Sequence, residues 1–284
     1  MILDRLVLSD MDLQGFVDAI ESSDGFPPLS EHKLVRLGGA DDAVIAIWGE
    51  GRRPVAVSVA AIHEGDEPHW ALEVALDADE RTADHEAASI AAGISTIPSS
   101  EAYSLWVQRP EEIFAAEALG HRELRRVLLM GGPFPPAPDR FDIDIGTIAD
   151  TTDDAIIDIH NRAFSGHREA SGMTVERLNE MRALPWYDPA GVVTGFIDGR
   201  LLGYCWTKLH PNGDGEVYLL AVDPDAHGRG AGEQLATAGY RVLQERGAER
   251  ATLWVDGDNG PAISLYRRLG LDTVGANVEM VRDS

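Results

Sequence analysis

Residues 222–232 read Val-Asp-Pro-Asp-Ala-His-Gly-Arg-Gly-Ala-Gly, directly after an apolar run, Val217-Tyr218-Leu219-Leu220-Ala221-Val222, that suits a buried strand. Beyond the glycines, Ala231, Leu235, Ala238 and Val242 recur at helical spacing, so a helix starts in or just after them. A strand that ends in a glycine bend and restarts as a helix admits few folds. It builds an α/β unit and presents free backbone N–H groups at the helix start, where they can cradle a phosphate with help from the helix dipole. Gly228, Gly230 and Gly232 permit φ > 0 and let an anion approach the backbone closely. Alone, the same bend also reads as an ordinary tight strand–helix turn.

A second segment narrows the choice. Thr252-Leu-Trp-Val255 reads as a short strand. Asn259-Gly-Pro-Ala-Ile-Ser-Leu-Tyr266-Arg-Arg-Leu-Gly270-Leu271 reads as a helix that starts at Asn and stops at Gly-Leu. The order strand, bend, helix, strand, Asn-started helix resembles the acetyl-CoA-binding core of the GNAT N-acetyltransferases. Two rivals fit worse. A nucleotide P-loop needs Gly-Lys-Ser/Thr after its glycines, whereas Gly232 is followed by Glu233 and Gln234. A Rossmann fingerprint can use Asp256 for a ribose but has no role for the Asn259–Tyr266 helix.

The 284 residues suffice for one large or two ordinary domains, and 44% of them are hydrophobic, so two cores can be buried. The formal charge of −24 argues against nucleic acid or an anionic membrane as partner and fits a solvated acidic surface. Only Lys33 and Lys208 are lysines. The single cysteine, Cys205, excludes an internal disulfide, fits a reducing compartment and, in its apolar run, reads as a buried structural thiol. No signal peptide and no long apolar span is present, so a cytoplasmic chain is expected, taken as a monomer, and the GNAT resemblance implies a small-molecule amine as its substrate. The histidines show no metal-ligand spacing and no Cys pair exists, so no metal is expected.

Gly131-Gly-Pro-Phe-Pro-Pro-Ala-Pro-Asp139 reads as a linker, since its prolines cannot continue a helix or central strand. It divides the chain into a first domain, 1–132, a proline-rich linker, 133–139, and a second domain, 140–284. In the second half, Phe141–Ile145 reads as a strand, Thr152 and Thr174 as helix caps, and Val192–Ile197 and Leu201–Thr207 as a hairpin about Asp198-Gly199. A last strand falls near Val278–Val281. The first half reads in the same order. Helices fall near Met11–Glu21 and after Ser30, and strands at Ala43–Trp48, Val55–Ile62 and Trp70–Leu76. A helix at Asp84–Gly93, a strand at Leu105–Val107, a Pro110-started helix and a strand at Val127–Met130 follow. The expected fold is therefore α/β with a mixed sheet, two tandem GNAT-like domains from one duplicated unit. The halves differ at the bend. After Leu76 the first half reads Asp77-Ala-Asp-Glu-Arg-Thr-Ala-Asp-His-Glu86, without glycine and rich in carboxylates, so it should repel a pyrophosphate and leave catalysis to the second half.

Within the GNAT superfamily the second half is similar to the mycothiol synthase family, tandem-domain enzymes of actinobacteria. The likeness rests on Asn161-Arg-Ala-Phe-Ser-Gly-His-Arg-Glu169, Pro185-Trp-Tyr-Asp-Pro189, Trp206-Thr-Lys-Leu-His-Pro211 and Gly215-Glu-Val-Tyr218. It extends more loosely to Ser30-Glu31-His32 and Leu105-Trp106. That resemblance implies acetyl-CoA as co-substrate and the cysteinyl amine of a cysteine–glucosamine–inositol conjugate as acceptor. It puts Leu220, Ala221 and Val222 against the pantetheine arm, where strand N–H groups can also bind an oxyanion. His227, Gly228, Arg229, Gly230, Ala231, Gly232 and Glu233 fall around the pyrophosphate. Asn259, Gly260, Pro261, Ala262, Ile263 and Ser264 fall on the cofactor's far side, and Glu31, Glu169, Lys208, Glu216 and Trp254 on the substrate. Three features depart from the family: His227 where Gln or Arg is usual, Trp254 where a Tyr faces the substrate, and the eroded first bend.

Amide formation from a thioester needs a neutral amine and a proton for the departing thiolate. An α-amino group, with a reference pKa of about 7.7–8.0, asks little of a base near neutral pH. Glu216 is the candidate, and strand alternation predicts that it shares a face with Tyr218, Leu220 and Val222. A carboxylate at an exposed strand end is the competing reading. Tyr266 is the candidate acid, because a phenol of pKa about 10 stays protonated above a thiol of about 8.5; packed core is its alternative. Two other functions stay open: acetyl transfer to a different small amine, such as an amino sugar, antibiotic or peptide N-terminus, and a non-catalytic acetyl-CoA sensor.

Overall fold

The computed structural model describes residues 2–3, 13–24, 28–30, 33, 43–50, 53–63, 69–165 and 172–282. The chain forms two compact units, Met1–Arg126 with Ala276–Ser284, and Val127–Gly275. The expected helix after Ser30 falls largely outside the described residues.

In the first unit come β1 (Ile2–Leu3), α1 (Leu13–Asp24), β2 (Ala43–Glu50), β3 (Arg53–His63), β4 (His69–Leu76), α2 (Ala83–Ile94), β5 (Tyr103–Val107) and α3 (Pro110–Ala118). β1 to β4 are antiparallel neighbours, and β4 pairs parallel with β5. Its core gathers Leu72, Ile90, Leu105 and Ala116 with Val278 and Met280 from the far end of the chain.

β6 (His121–Gly132) carries the chain into the second unit. There follow β7 (Asp144–Thr147), α4 (Asp153–Ala163), α5 (Val175–Arg182), β8 (Val192–Ile197), β9 (Arg200–Leu209), β10 (Asp214–Val222), α6 (Ala231–Glu245), β11 (Arg250–Asp256), α7 (Gly260–Arg268) and β12 (Asp272–Arg282). Local chemistry fixes the ends of these elements. Thr152 and Thr174 accept hydrogen bonds from the N–H groups of Ala155 and Arg177 and so cap α4 and α5. Asp198 and Gly199, at φ 50° and 74°, turn the β8–β9 hairpin as a primed turn whose twist suits the strands. The first strand of this unit forms three residues later than expected: Phe141 and Ile143 sink into the core ahead of it. The sheet separates two apolar layers. On one face Val217, Leu235, Tyr240, Leu253 and Tyr266 pack with α6 and α7. On the other, Ile156, Leu178, Tyr204, Trp206 and Ala221 pack with α4 and α5.

The sheets of the two units repeat one strand order, but each last strand comes from a part of the sequence that a cut at the linker assigns to the other half. Gly132 to Val127 of β6 lie antiparallel to Ala251–Asp256 of β11. Val278–Val281 of β12 lie antiparallel to Ser104–Val107 of β5. Boundaries at the linker, with 140–284 as one domain, therefore do not follow the compact units. Sequence proximity favoured each strand joining its own half; long-range pairing decides otherwise.

Candidate active site

The second unit is built around strands that part company. β10 and β11 pair only at Asp214↔Arg250, Gly215↔Ala251 and Glu216↔Thr252. On its other side β10 shifts register between Val217, opposite Thr207, and Leu219, opposite Trp206, so Tyr218 sits in a bulge. From there to the bend, β10 has an edge that β11 does not use. A cavity of about 970 Å³ opens here, at the large end for a small-molecule site. β10 contributes Tyr218, Leu219, Leu220 and Val222, β11 contributes Trp254, and α4 and α5 contribute Phe164, Arg177 and Met181.

The bulge corrects one expectation. Simple alternation sets Glu216 on a face with Leu220 and Val222. The extra residue inverts the count: Val217, Leu220 and Val222 join the α6 layer, while Leu219 and Ala221 join the opposite one, Glu216's side.

The bend has the geometry of an anion cradle. Asp223 accepts from the N–H of Asp225 and turns the strand into a short 3₁₀ segment, Pro224–Ala226. Gly228 and Gly230 follow at φ 75° and 76°. Gly230 is the N-cap of α6 and offers no side chain to its amides. The first intrahelical bond runs from Gln234 N–H to Gly230 C=O at 3.1 Å, so the amides of Ala231, Gly232 and Glu233 have no carbonyl behind them. Gly228, Gly230, Ala231, Gly232 and Glu233 all line the cavity, with His227 beside them. A pyrophosphate fits this donor set, which combines several N–H groups with the positive end of a helix dipole. In the first unit Asp77 makes the same turn by accepting from Asp79 N–H, but Thr82 then caps α2 by accepting from His85 N–H. Arg81 is held by both oxygens of Asp24 at 2.6 Å. That bend caps its own helix with a side chain and ties its arginine to a carboxylate.

Asp223 deserves a place that the sequence reading did not give it. It is buried, and Arg162 grips both its oxygens (3.0 and 2.6 Å) while Arg200 adds a third bond at 2.8 Å. Burial alone would raise its pKa, but the Asp225 N–H and the two guanidiniums hold it below the usual carboxylate range. Asp223→Asn should therefore cost about 2 kcal/mol, read as a melting temperature roughly 4–8 °C lower at neutral pH. Because the native pKa is depressed, this stabilisation is present above the ordinary aspartate value of about 3.9 and lost as pH falls through the native one, so melting curves of the two proteins should converge in acid.

Tyr266 lines the cavity and is otherwise buried in the α6–α7 layer. Burial pushes its phenol pKa up, with Cys205 adding to the effect, so it remains protonated at neutral pH. Its helix is held at both ends. Asn259 accepts from Ala262 N–H at the start. At the stop, Leu271 N–H bonds Tyr266 C=O and Gly270 N–H bonds Arg267 C=O, the αL closure that Gly-Leu signalled.

Glu216 is 6% exposed and does not line the cavity; its neighbours Val217 and Tyr218 do. His210 Nε2 donates to its Oε2 at 2.6 Å. Across the rung Lys208 sets its ammonium 4.7 Å from the Trp186 ring centre and 5.8 Å from that of Tyr218. Of the expected cofactor residues, Asn259, Pro261 and Ala262 line the cavity; Ala221, Arg229, Gly260, Ile263 and Ser264 do not. Trp254 lines it and is 36% exposed. Glu31 and Glu169 lie outside the described residues. Sequence reasoning missed His210 and Trp186, although both stand in the motifs quoted above; Lys208 and His210, two apart where β9 ends and its turn begins, were the available signal.

Residues 154–271 match the acetyltransferase (GNAT) family. In fold, the chain is similar to a GCN5-related N-acetyltransferase from Sphaerobacter thermophilus (TM-score 0.71, 20% identity, 99% of this chain and 94% of that one). It is also similar to a tandem GNAT protein from the clavulanic acid biosynthesis pathway (TM-score 0.65, 16% identity, 99% and 96%). The protein is thus an acetyl-CoA-dependent N-acetyltransferase of the GNAT class. In sequence it is 34% identical over 274 residues to the mycothiol acetyltransferase of Mycolicibacterium smegmatis, covering 92% of this chain and 91% of that one. To that of Rhodococcus jostii it is 31% identical, covering 95% and 94%. The chain belongs to the mycothiol acetyltransferase family. Among the described residues no helix is long and apolar enough to cross a membrane, and no cluster of His, Cys, Asp or Glu is placed to hold a metal.

Proposed function

We propose that the second unit transfers the acetyl group of acetyl-CoA directly to the cysteinyl amine of a cysteine–glucosamine–inositol conjugate, completing mycothiol, in a ternary complex. The observation that carries this is the wedge: an unpaired edge of β10 running into an uncapped helix start, with Tyr266 facing the same cavity. The bend amides of Gly228 to Glu233 hold the pyrophosphate. The free edge at Leu220 to Val222 aligns the pantetheine arm and donates N–H groups to the oxyanion. Asn259 to Ser264 flank the far side. Glu216 takes the amine's proton through a water, since its neighbours Val217 and Tyr218 line the cavity and it does not. Tyr266 returns a proton to the departing thiolate. Lys208, Trp254 and Glu169 contact the acceptor. The enzyme acts as a cytoplasmic monomer on this small molecule, without a metal.

The reading makes the first unit silent toward acetyl-CoA, because its bend lacks glycine, Thr82 caps its helix and Asp24 holds Arg81. Calorimetric titration of the whole chain should then give one acetyl-CoA per chain; two sites would contradict it. The acceptor is tested by product analysis after incubation with acetyl-CoA and the conjugate. An acetyl group on the cysteinyl nitrogen supports the proposal. Acetylation only of other amines, a prospect that Trp254 makes worth including in the panel, would keep the chemistry and discard the substrate.

A further inference from the structure

The β9–β10 turn carries a group the proposed chemistry has not used. His210 N–H bonds Asp214 C=O at 2.8 Å, and Gly213 N–H returns to His210 C=O at 3.0 Å. Pro211 restricts His210 to extended backbone. The turn is tied down further on: Gly213 C=O accepts from Glu249 N–H at 2.8 Å, and Asp214 pairs with Arg250 at 2.9 Å. The backbone that bears the imidazole is thus fixed from several sides. Its Nε2 meets the Glu216 carboxylate at 2.6 Å, with the two side chains 18% and 8% exposed.

We propose that His210 is a positioning residue for Glu216, fixing the one orientation from which its carboxylate takes the acceptor amine's proton through a water. This rests on the reading of Glu216 as the base. The place of the pair argues for more than an ion pair that happens to be buried. Glu216 sits on the last rung shared by β10 and β11, one residue before the strands part and two before the bulged Tyr218. A glutamate there, with free side-chain torsions, would divide its time between the rung and the wedge. The imidazole bond removes that freedom before substrate arrives, and a catalytic group held in place is worth far more than the same group wandering. Around the pair, Lys208, opposite on β9, lies over Trp186 and Tyr218, and Tyr240 of α6 donates its hydroxyl to Thr252 C=O.

The test is steady-state kinetics on the full chain for wild type, His210→Ala, His210→Gln, Glu216→Gln and the Ala/Gln double variant. Acetyl-CoA and the best acceptor amine are varied separately. His210→Ala should lower kcat/KM for the amine about 10- to 50-fold and leave the KM for acetyl-CoA unchanged. His210→Gln, whose amide N–H can reach the same carboxylate, should recover most of that loss. In the Glu216→Gln background the loss at position 210 should vanish, because there is no carboxylate left to hold. A His210→Ala enzyme within about twofold of wild type, or losses that multiply in the double variant, overturns the inference. Glutamine failing to rescue overturns it as well. The underlying reading fails separately: Glu216→Gln with undiminished activity removes Glu216 as base and the role of His210 with it, whatever the His210 variants do.

Discussion

Tyr266→Phe is expected to lower kcat about 10²- to 10³-fold while the affinity for acetyl-CoA stays where it was. The substitution removes one oxygen and keeps the ring that packs among Leu235, Ile263 and Leu269, so the melting temperature should hold. On the proposed role, what is lost is the proton. A leaving thiolate has a conjugate-acid pKa of about 8.5, and the buried phenol, raised above its ordinary value, is a protonated donor at every physiological pH. The 100-fold end corresponds to about 2.7 kcal/mol of transition-state stabilisation. A further check follows from the role. Acetyl thioesters whose thiols are more acidic need the donor less, so the penalty should shrink along a series of them. If kcat falls less than about threefold, Tyr266 is packed core and nothing more.

Gly230→Asp should weaken acetyl-CoA binding by about 100-fold or more, with loss showing in Kd and KM rather than in the chemical step. Two effects add. A side chain at φ 76° is strained at about 1 kcal/mol, and a carboxylate at the uncapped start of α6 both caps its amides and repels the pyrophosphate. Gly230→Ala separates them: it carries the strain without the charge and should lose only about 5- to 10-fold. In effect the aspartate variant would give the second unit the kind of self-satisfied bend that Thr82 gives the first. Equal losses in the two variants would mean that backbone shape alone, not anion binding, makes the glycine necessary.

What could be read in the sequence was what is decided locally. The bend, the Asn259 cap, the Thr152 and Thr174 caps and the Gly270-Leu271 stop are each set by a few neighbouring residues, and all of them form as read. What escaped was set by distant partners. Nothing near Val127 or Val278 announces that one strand lies beside β11 and the other beside β5. The bulge at Tyr218 follows from how β9 and β10 are aligned, and it moved Glu216 to the face opposite Leu220. Asp223 stands in the quoted bend with no role of its own there; only the fold brings Arg162 and Arg200 to it. His210 sat in a motif already singled out, but its partner became visible only once the turn folded it back onto β10. Lys208 is one of only two lysines, and its place over two aromatic rings is set by residues distant in sequence.

The most direct measurement is CoA-thiol release by the purified chain, comparing kcat/KM for the cysteine–glucosamine–inositol conjugate with that for a panel of free amino sugars, peptide N-termini and cysteine itself. The conjugate is expected to exceed every other amine by at least about 100-fold, since remote sugar and inositol contacts are recovered only in the correct transition state. Comparable rates across the panel, or acetyl-CoA binding without release on any amine, would contradict it.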